Sequence, residues 1–170
     1  MRHATWDIIM AGAYPVTGYG TTYMGGNRDE GPFNVDDPRN DIWESQYHVP
    51  QRFLSELEWW KLQPQDDWIS SSTPRSSDRN VRLGSRTLLA PPETTYWLLA
   101  EPPKQYVAYV RGLKDNVTID LGPADTGIGK ARLLNPRTGE TEDIDSKTVG
   151  QNKFEWSPPD TRDWVLHLSK

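Results

Sequence analysis

Apolar residues near the start of the chain recur at helical spacing. Ala4, Ile8 and Ala11 share one face, with Ile9 and Ala13 beside it, and Gly12, Pro15 and Gly18 bring the predicted helix to an end. Residues 16–23 are β-branched and aromatic, which predicts a short strand with a glycine-rich exit; residues 24–37 read as loop. Helical spacing returns over residues 40–68, where Trp43, Tyr47, Leu54, Leu57 and Lys61 recur and Phe53 and Trp60 widen the apolar stripe. Pro50 is expected to divide this stretch into two pieces or to start a fresh helix at its first turn, and Pro64 to end it. Residues 70–78 are rich in Ser and Pro and lack a period, which marks them as a domain boundary.

Beyond the boundary the period shortens. Runs of strand character cover residues 86–90, 96–100, 105–110, 117–121, 131–135, 143–149, 153–156 and 164–168. Turn signals separate them, among them Pro91-Pro92, Pro102-Pro103, Lys114-Asp115-Asn116, Asn135-Pro136-Arg137-Thr138-Gly139 and Ser157-Pro158-Pro159. Residues 116–121 and 153–156 alternate polar with apolar, as strands with one solvated face do. Short strands at regular spacing predict an antiparallel β-sandwich over residues 84–170. With the helix–strand–helix segment over residues 1–69, the expected fold class is α+β.

Composition narrows the function classes. The 170 residues are 35% hydrophobic, yet eight Trp, seven Tyr and three Phe supply large buried surfaces in place of an aliphatic majority. A net charge of −5 and a pI near 5.2 attract no phosphate backbone, so nucleic acid is not an expected partner. There are no cysteines, which excludes disulfides, thiolate metal sites and thiol nucleophiles. No apolar run approaches the ~20 residues a membrane helix needs. Asp7 interrupts the apolar stretch near the N-terminus, so it does not read as a signal peptide, and the compartment is left open.

Several motifs resemble, in order, the C-terminal part of the apiosidase-like glycoside hydrolases, which are (β/α)8 barrels. Glu58-Trp59-Trp60-Lys61-Leu62-Gln63-Pro64-Gln65-Asp66-Asp67 is similar to the helix end that leaves that barrel. Downstream come Leu98-Leu99-Ala100-Glu101-Pro102, Tyr106-Val107-Ala108-Tyr109-Val110, Val117-Thr118-Ile119-Asp120-Leu121, Asn135-Pro136-Arg137-Thr138-Gly139-Glu140 and Asp163-Trp164-Val165-Leu166. Ala11-Gly12-Ala13 and Gly18-Tyr19-Gly20 resemble the last helix–strand step of the barrel. The resemblance implies a TIM-barrel remnant followed by a β-domain that the family describes as collagen-binding. It also implies a C-terminal piece of a larger, often secreted carbohydrate enzyme, because a barrel takes ~250 residues and the family's catalytic carboxylates lie on strands outside this chain.

No catalytic residue is therefore assigned. Glycosidase chemistry needs two carboxyl groups facing each other at about 5–9.5 Å, whereas Asp36-Asp37, Asp66-Asp67 and Glu140 with Glu142 are neighbours in sequence alone. His3, His48 and His167 share no metal-ligand spacing, and the acidic loop with Asp29, Glu30, Asp36 and Asp37 lacks the alternation of an EF-hand, so neither metal nor cofactor is expected. Met24-Gly25-Gly26 lacks the Lys-Ser/Thr of a phosphate cradle, and there is no Gly-x-Ser-x-Gly elbow. Tyr19, Tyr23 and Trp43 are the substrate-binding candidates, as planar faces that stack on sugar rings; the other reading packs them into a barrel. Trp59-Trp60 is expected to bury one ring between domains and half-expose the other. Of Trp97, Trp156 and Trp164, at least two are expected in the sandwich core.

Three functions remain: a sandwich that braces a catalytic barrel in a chain inactive by itself, an independent module for polysaccharide or collagen, and an accessory domain that associates with another chain. The first and third expect Ile8, Ile9, Leu54 and Leu57 to be exposed as barrel-facing surface.

Overall fold

A computed structural model of the chain describes residues 2–13, 39–77, 79–83, 86–90, 92–122, 127–145 and 152–170. The described elements are mostly strand, in an α+β arrangement. Helix α1 is Arg2–Met10 and helix α2 is Arg39–Ser55. The strands are β1 (Gln63–Pro64), β2 (Ile69–Ser71), β3 (Arg79–Leu83), β4 (Arg86–Ala90), β5 (Thr95–Glu101), β6 (Gln105–Arg111), β7 (Val117–Asp120), β8 (Lys130–Leu134), β9 (Thr141–Ile144), β10 (Lys153–Trp156) and β11 (Trp164–Ser169). Short 3-10 turns occupy Trp59–Lys61 and Asp66–Trp68.

A six-stranded antiparallel sheet runs β1-β5-β6-β11-β8-β9, and a three-stranded sheet runs β10-β7-β2. Strands β3 and β4 form a two-stranded ribbon. The inner faces of the two larger sheets enclose one core, with Leu98, Tyr106, Ala108, Val110 and Leu166 from the first meeting Val117, Ile119, Phe154 and Trp156 from the second. Tyr106 is wholly buried, and its phenol donates to the Leu121 carbonyl at 2.6 Å, so burial raises its pKa to about 12 without orphaning the hydroxyl. Trp156 lies in this core, Trp164 packs on its edge, and Trp97 faces the opposite side of the sheet.

The central strands of the six-stranded sheet, β5, β6 and β11, are buried on both faces. Successive residues of a strand point to opposite sides, so Leu99, Val107, Tyr109, Leu134 and Val165 leave the sandwich core and form a second one with Trp6, Ile9, Met10, Phe53 and Leu57 of the helical segment. Two expectations are corrected here. Ile9 (6% exposed) and Leu57 (8%) are not free apolar surface but are packed on the sheet, and Leu54 is half-buried; Ile8, at 41%, alone of the four stays exposed. Pro50 neither divides the helical stretch nor starts a fresh helix, because α2 runs through it. A proline costs the helix one N–H bond, and here the Pro50 ring is itself buried.

The end of the helical stretch also differs from the pattern. The helix stops at Ser55, and Pro64 lies in β1, paired with Leu99 at the sheet edge where a missing donor is tolerated. Ile69–Ser71 is strand β2, paired with β7. Both sheets therefore take a strand from N-terminal to residue 84. The segment that follows is tied to the sandwich: Ser72 and Thr73 hydroxyls donate to the Asp115 carboxylate at 2.8 and 2.7 Å, and the Arg75 guanidinium lies 4.3 Å from the Tyr96 ring centroid. Gly112 has a positive φ of 72°, and a Cβ there would meet the Glu93 carbonyl oxygen at 2.4 Å, so the turn after β6 requires glycine.

Candidate functional site

Two features stand on the helix-covered face of the sheet. The first is a polar lock between α1 and the sheet. Asp163, just before β11, has a side chain 1% exposed and takes a forked pair of bonds from Arg2, Nε at 2.7 Å and Nη2 at 3.2 Å. Arg137 reaches the same carboxylate from the β8–β9 turn, with Nη1 3.1 Å from Oδ1. That turn is set by its sequence: Asn135 accepts from Gly139 N at 2.8 Å, its side chain accepts from Arg137 N at 3.1 Å, and Gly139 supplies a φ of +78°. Burial alone would push the Asp163 carboxyl up, but the bonds and charges of Arg2 and Arg137 outweigh it and hold the pKa low.

One helical turn on, Asp7 accepts from Trp97 Nε1 at 3.2 Å and from Arg111 Nη2 at 3.3 Å. Arg111 in turn donates to the Tyr109 hydroxyl at 3.1 Å and to the Pro92 carbonyl. Burial raises the Tyr109 phenol, so the hydroxyl stays protonated. Each carboxylate here is held by guanidinium groups or an indole N–H. The lock is suited to fixing α1 on the sheet.

On the same face, His167 is 8% exposed beside Phe53, with ring centroids 6.0 Å apart at 89°, and its Nε2 has no hydrogen-bond partner among the described residues. Desolvation first, then the Arg132 charge, lowers its pKa to about 4, with Glu56 opposing. The unfolded imidazole takes its proton near pH 6.5 and the folded one resists until about pH 4. Stability is thus full above pH 6.5 and lost as pH falls through that window, by up to about 3 kcal/mol. His3 is also lowered, chiefly by burial, and acts in the same direction, though it is half-exposed and screened. Urea unfolding at a series of pH values is expected to show this decline, and His167→Gln to flatten most of it. An unchanged slope in the variant would assign the decline elsewhere.

The second feature is a cleft of about 460 Å³ beside the lock, within the size range of small-molecule sites. Helix α1 contributes Thr5 and Ile9, and α2 contributes Tyr47, Gln51 and Leu54. The turn after α2 adds Trp59 and Trp60, and β1 adds Gln63 and Pro64. None of its described lining residues carries a formal charge. Trp59 packs partly into the helix–sheet core, while Trp60 is 58% exposed; their ring centroids are 5.8 Å apart at 85°, so the two rings meet as a corner.

Of the residues singled out in the sequence, Trp59 and Trp60 reach this cleft. Trp43 belongs to α2, and Tyr19 and Tyr23 lie outside the described residues. The residues that sequence reasoning missed are Gln51, Gln63 and the members of the lock. Amides carry no periodic signal, and charged partners far apart in sequence are invisible until the strands pair. Among the described residues no three His, Asp or Glu side chains form a metal-binding group, and no helix is long and apolar enough to cross a membrane. The chain matches no protein-family model, and a search of curated proteins returns no match.

Proposed function

We propose that this chain is the non-catalytic C-terminal portion of a carbohydrate-active protein resembling the apiosidase-like glycoside hydrolases, and that its sandwich braces the part of the protein ahead of it. The observation that carries this reading is the second core. A sandwich already satisfies its inner sheet faces, and a typical antiparallel sheet can leave its outer face to water. Here the outer face of the six-stranded sheet instead holds α1 and α2 through Trp6, Phe53 and Leu57, and a buried ion-paired lock adds directional bonds. Such a face orients whatever continues from the helices. The order of the motifs, with the helix end first and the β-domain behind it, supports the same assignment.

The purified chain, incubated with arabinoxylan, pectin and cellulose, is expected to release no sugar above the enzyme-free blank. Reproducible release that tracks the protein through purification would overturn the proposal. A second reading, an independent binding module for carbohydrate or collagen, is favoured by the aromatic cleft.

A further inference from the structure

The geometry points to the cleft between α1, α2 and β1 as a binding site for a neutral saccharide. The inference deepens the carbohydrate-active reading above and rests on it for the class of macromolecule. Its physical ground is the mixture of groups in the cleft. A sugar ring has an apolar C–H face and a rim of hydroxyls that both donate and accept, so an aromatic face together with polar groups of both roles suits it. Trp60 supplies an indole that remains largely open to solvent, and Trp59 stands almost perpendicular to it as a wall.

The amides of Gln51 and Gln63 supply the rim chemistry. Both side chains are exposed, both line the cleft, and neither amide makes a hydrogen bond among the described residues. A carboxamide offers two donors and an acceptor on one planar group, which matches the alternating roles of neighbouring hydroxyls. The charge pattern sharpens the class. The chain is 25% charged, yet the described lining of the cleft has no charged residue, so none of those residues compensates a uronate, sulfate or phosphate. A neutral ligand loses least on entering.

The test uses the full chain and four defined probes: cellohexaose, xylohexaose, trigalacturonate and a Pro-rich collagen-model peptide. Tryptophan fluorescence and calorimetry read the binding. At least one neutral hexaose is expected to bind with a Kd in the range of about 10 µM to 1 mM, and Trp60→Ala to weaken it by about tenfold or more. The double variant Gln51→Ala/Gln63→Ala is expected to weaken it several-fold, and trigalacturonate to bind more weakly than the neutral probes. All three positions are exposed, so thermal unfolding of the variants is expected to match the parent chain, which separates lost binding from lost fold.

Failure of both neutral hexaoses to bind at 10-fold the upper end of that range overturns the inference. So does binding that Trp60→Ala leaves intact, or a preference for trigalacturonate or the collagen-model peptide. Sugar release by the chain, by contrast, overturns the non-catalytic reading and leaves the cleft's binding result standing, so the two failures are distinguishable.

Discussion

Asp163→Ala is expected to destabilise the chain by about 3–5 kcal/mol, the range found when one partner of a buried ion pair is removed. The carboxylate is 1% exposed and receives Arg2 and Arg137 from two separate parts of the chain. Removing it leaves the Arg137 guanidinium, itself 15% exposed, with a positive charge and no counter-charge. That guanidinium also lies 4.7 Å over the Trp164 ring, which limits its escape to water. Asp163→Asn retains an acceptor and loses the charge, so it is expected to fall between the parent and Asp163→Ala. The combination Asp163→Ala/Arg137→Met is expected to be more stable than Asp163→Ala alone, because it deletes the orphaned charge. Urea unfolding followed by tryptophan fluorescence measures all three. A loss under about 1 kcal/mol for Asp163→Ala would place the group in the class of solvent-screened surface pairs.

The same residues show why the sandwich was legible and the helix layer was not. Strands β4 to β8, β10 and β11 were readable because each is a short run bounded by turn residues, and the signal is local, whereas β9 spans Thr141–Ile144 and shares only its last two residues with the run expected over 143–149. Strands β1 and β2, of two and three residues, are too short to show a period, and each exists because a longer strand accepts it at an edge. Pro50 misled because a local rule was applied to a helix whose packing against the sheet is tertiary.

A signal for the second core was present all the same. Strands β7 and β10 alternate apolar with polar, as a sheet with one wet face does, while β6 reads Tyr106-Val107-Ala108-Tyr109-Val110 without a polar break. A continuous apolar strand in an antiparallel sheet implies cover on both sides. The cleft was half legible. Adjacent tryptophans stand out in any sequence, but the two glutamines that complete the site are separated by a helix end and a turn. The lock was not legible, because Arg2, Arg137 and Asp163 meet only once β8 and β11 have paired and α1 has docked.

The helix layer itself is tested by Trp6. Its side chain is fully buried, lies nearly parallel to Tyr109 with centroids 5.7 Å apart at 9°, and meets Phe53 edge-on at 6.0 Å. Trp6→Ala is expected to cost about 3–5 kcal/mol, as large aromatic deletions in cores do. The indole Nε1 is buried without a partner among the described residues, so the wild-type residue already bears a desolvation penalty that the deletion relieves. Packing thus accounts for the whole loss, and Trp6→Phe, which keeps a ring and removes the orphaned N–H, is expected to cost far less than the alanine variant. If the sheet is a seat for the helices, the damage should be directional. Hydrogen exchange in Trp6→Ala is expected to show α1 and α2 losing protection while β7 and β10 retain it, because Val117, Ile119 and Phe154 pack on the other face of the sheet. Equal loss of protection in both layers would make helices and sandwich one cooperative unit, and the sheet would then depend on its helices as much as they depend on it.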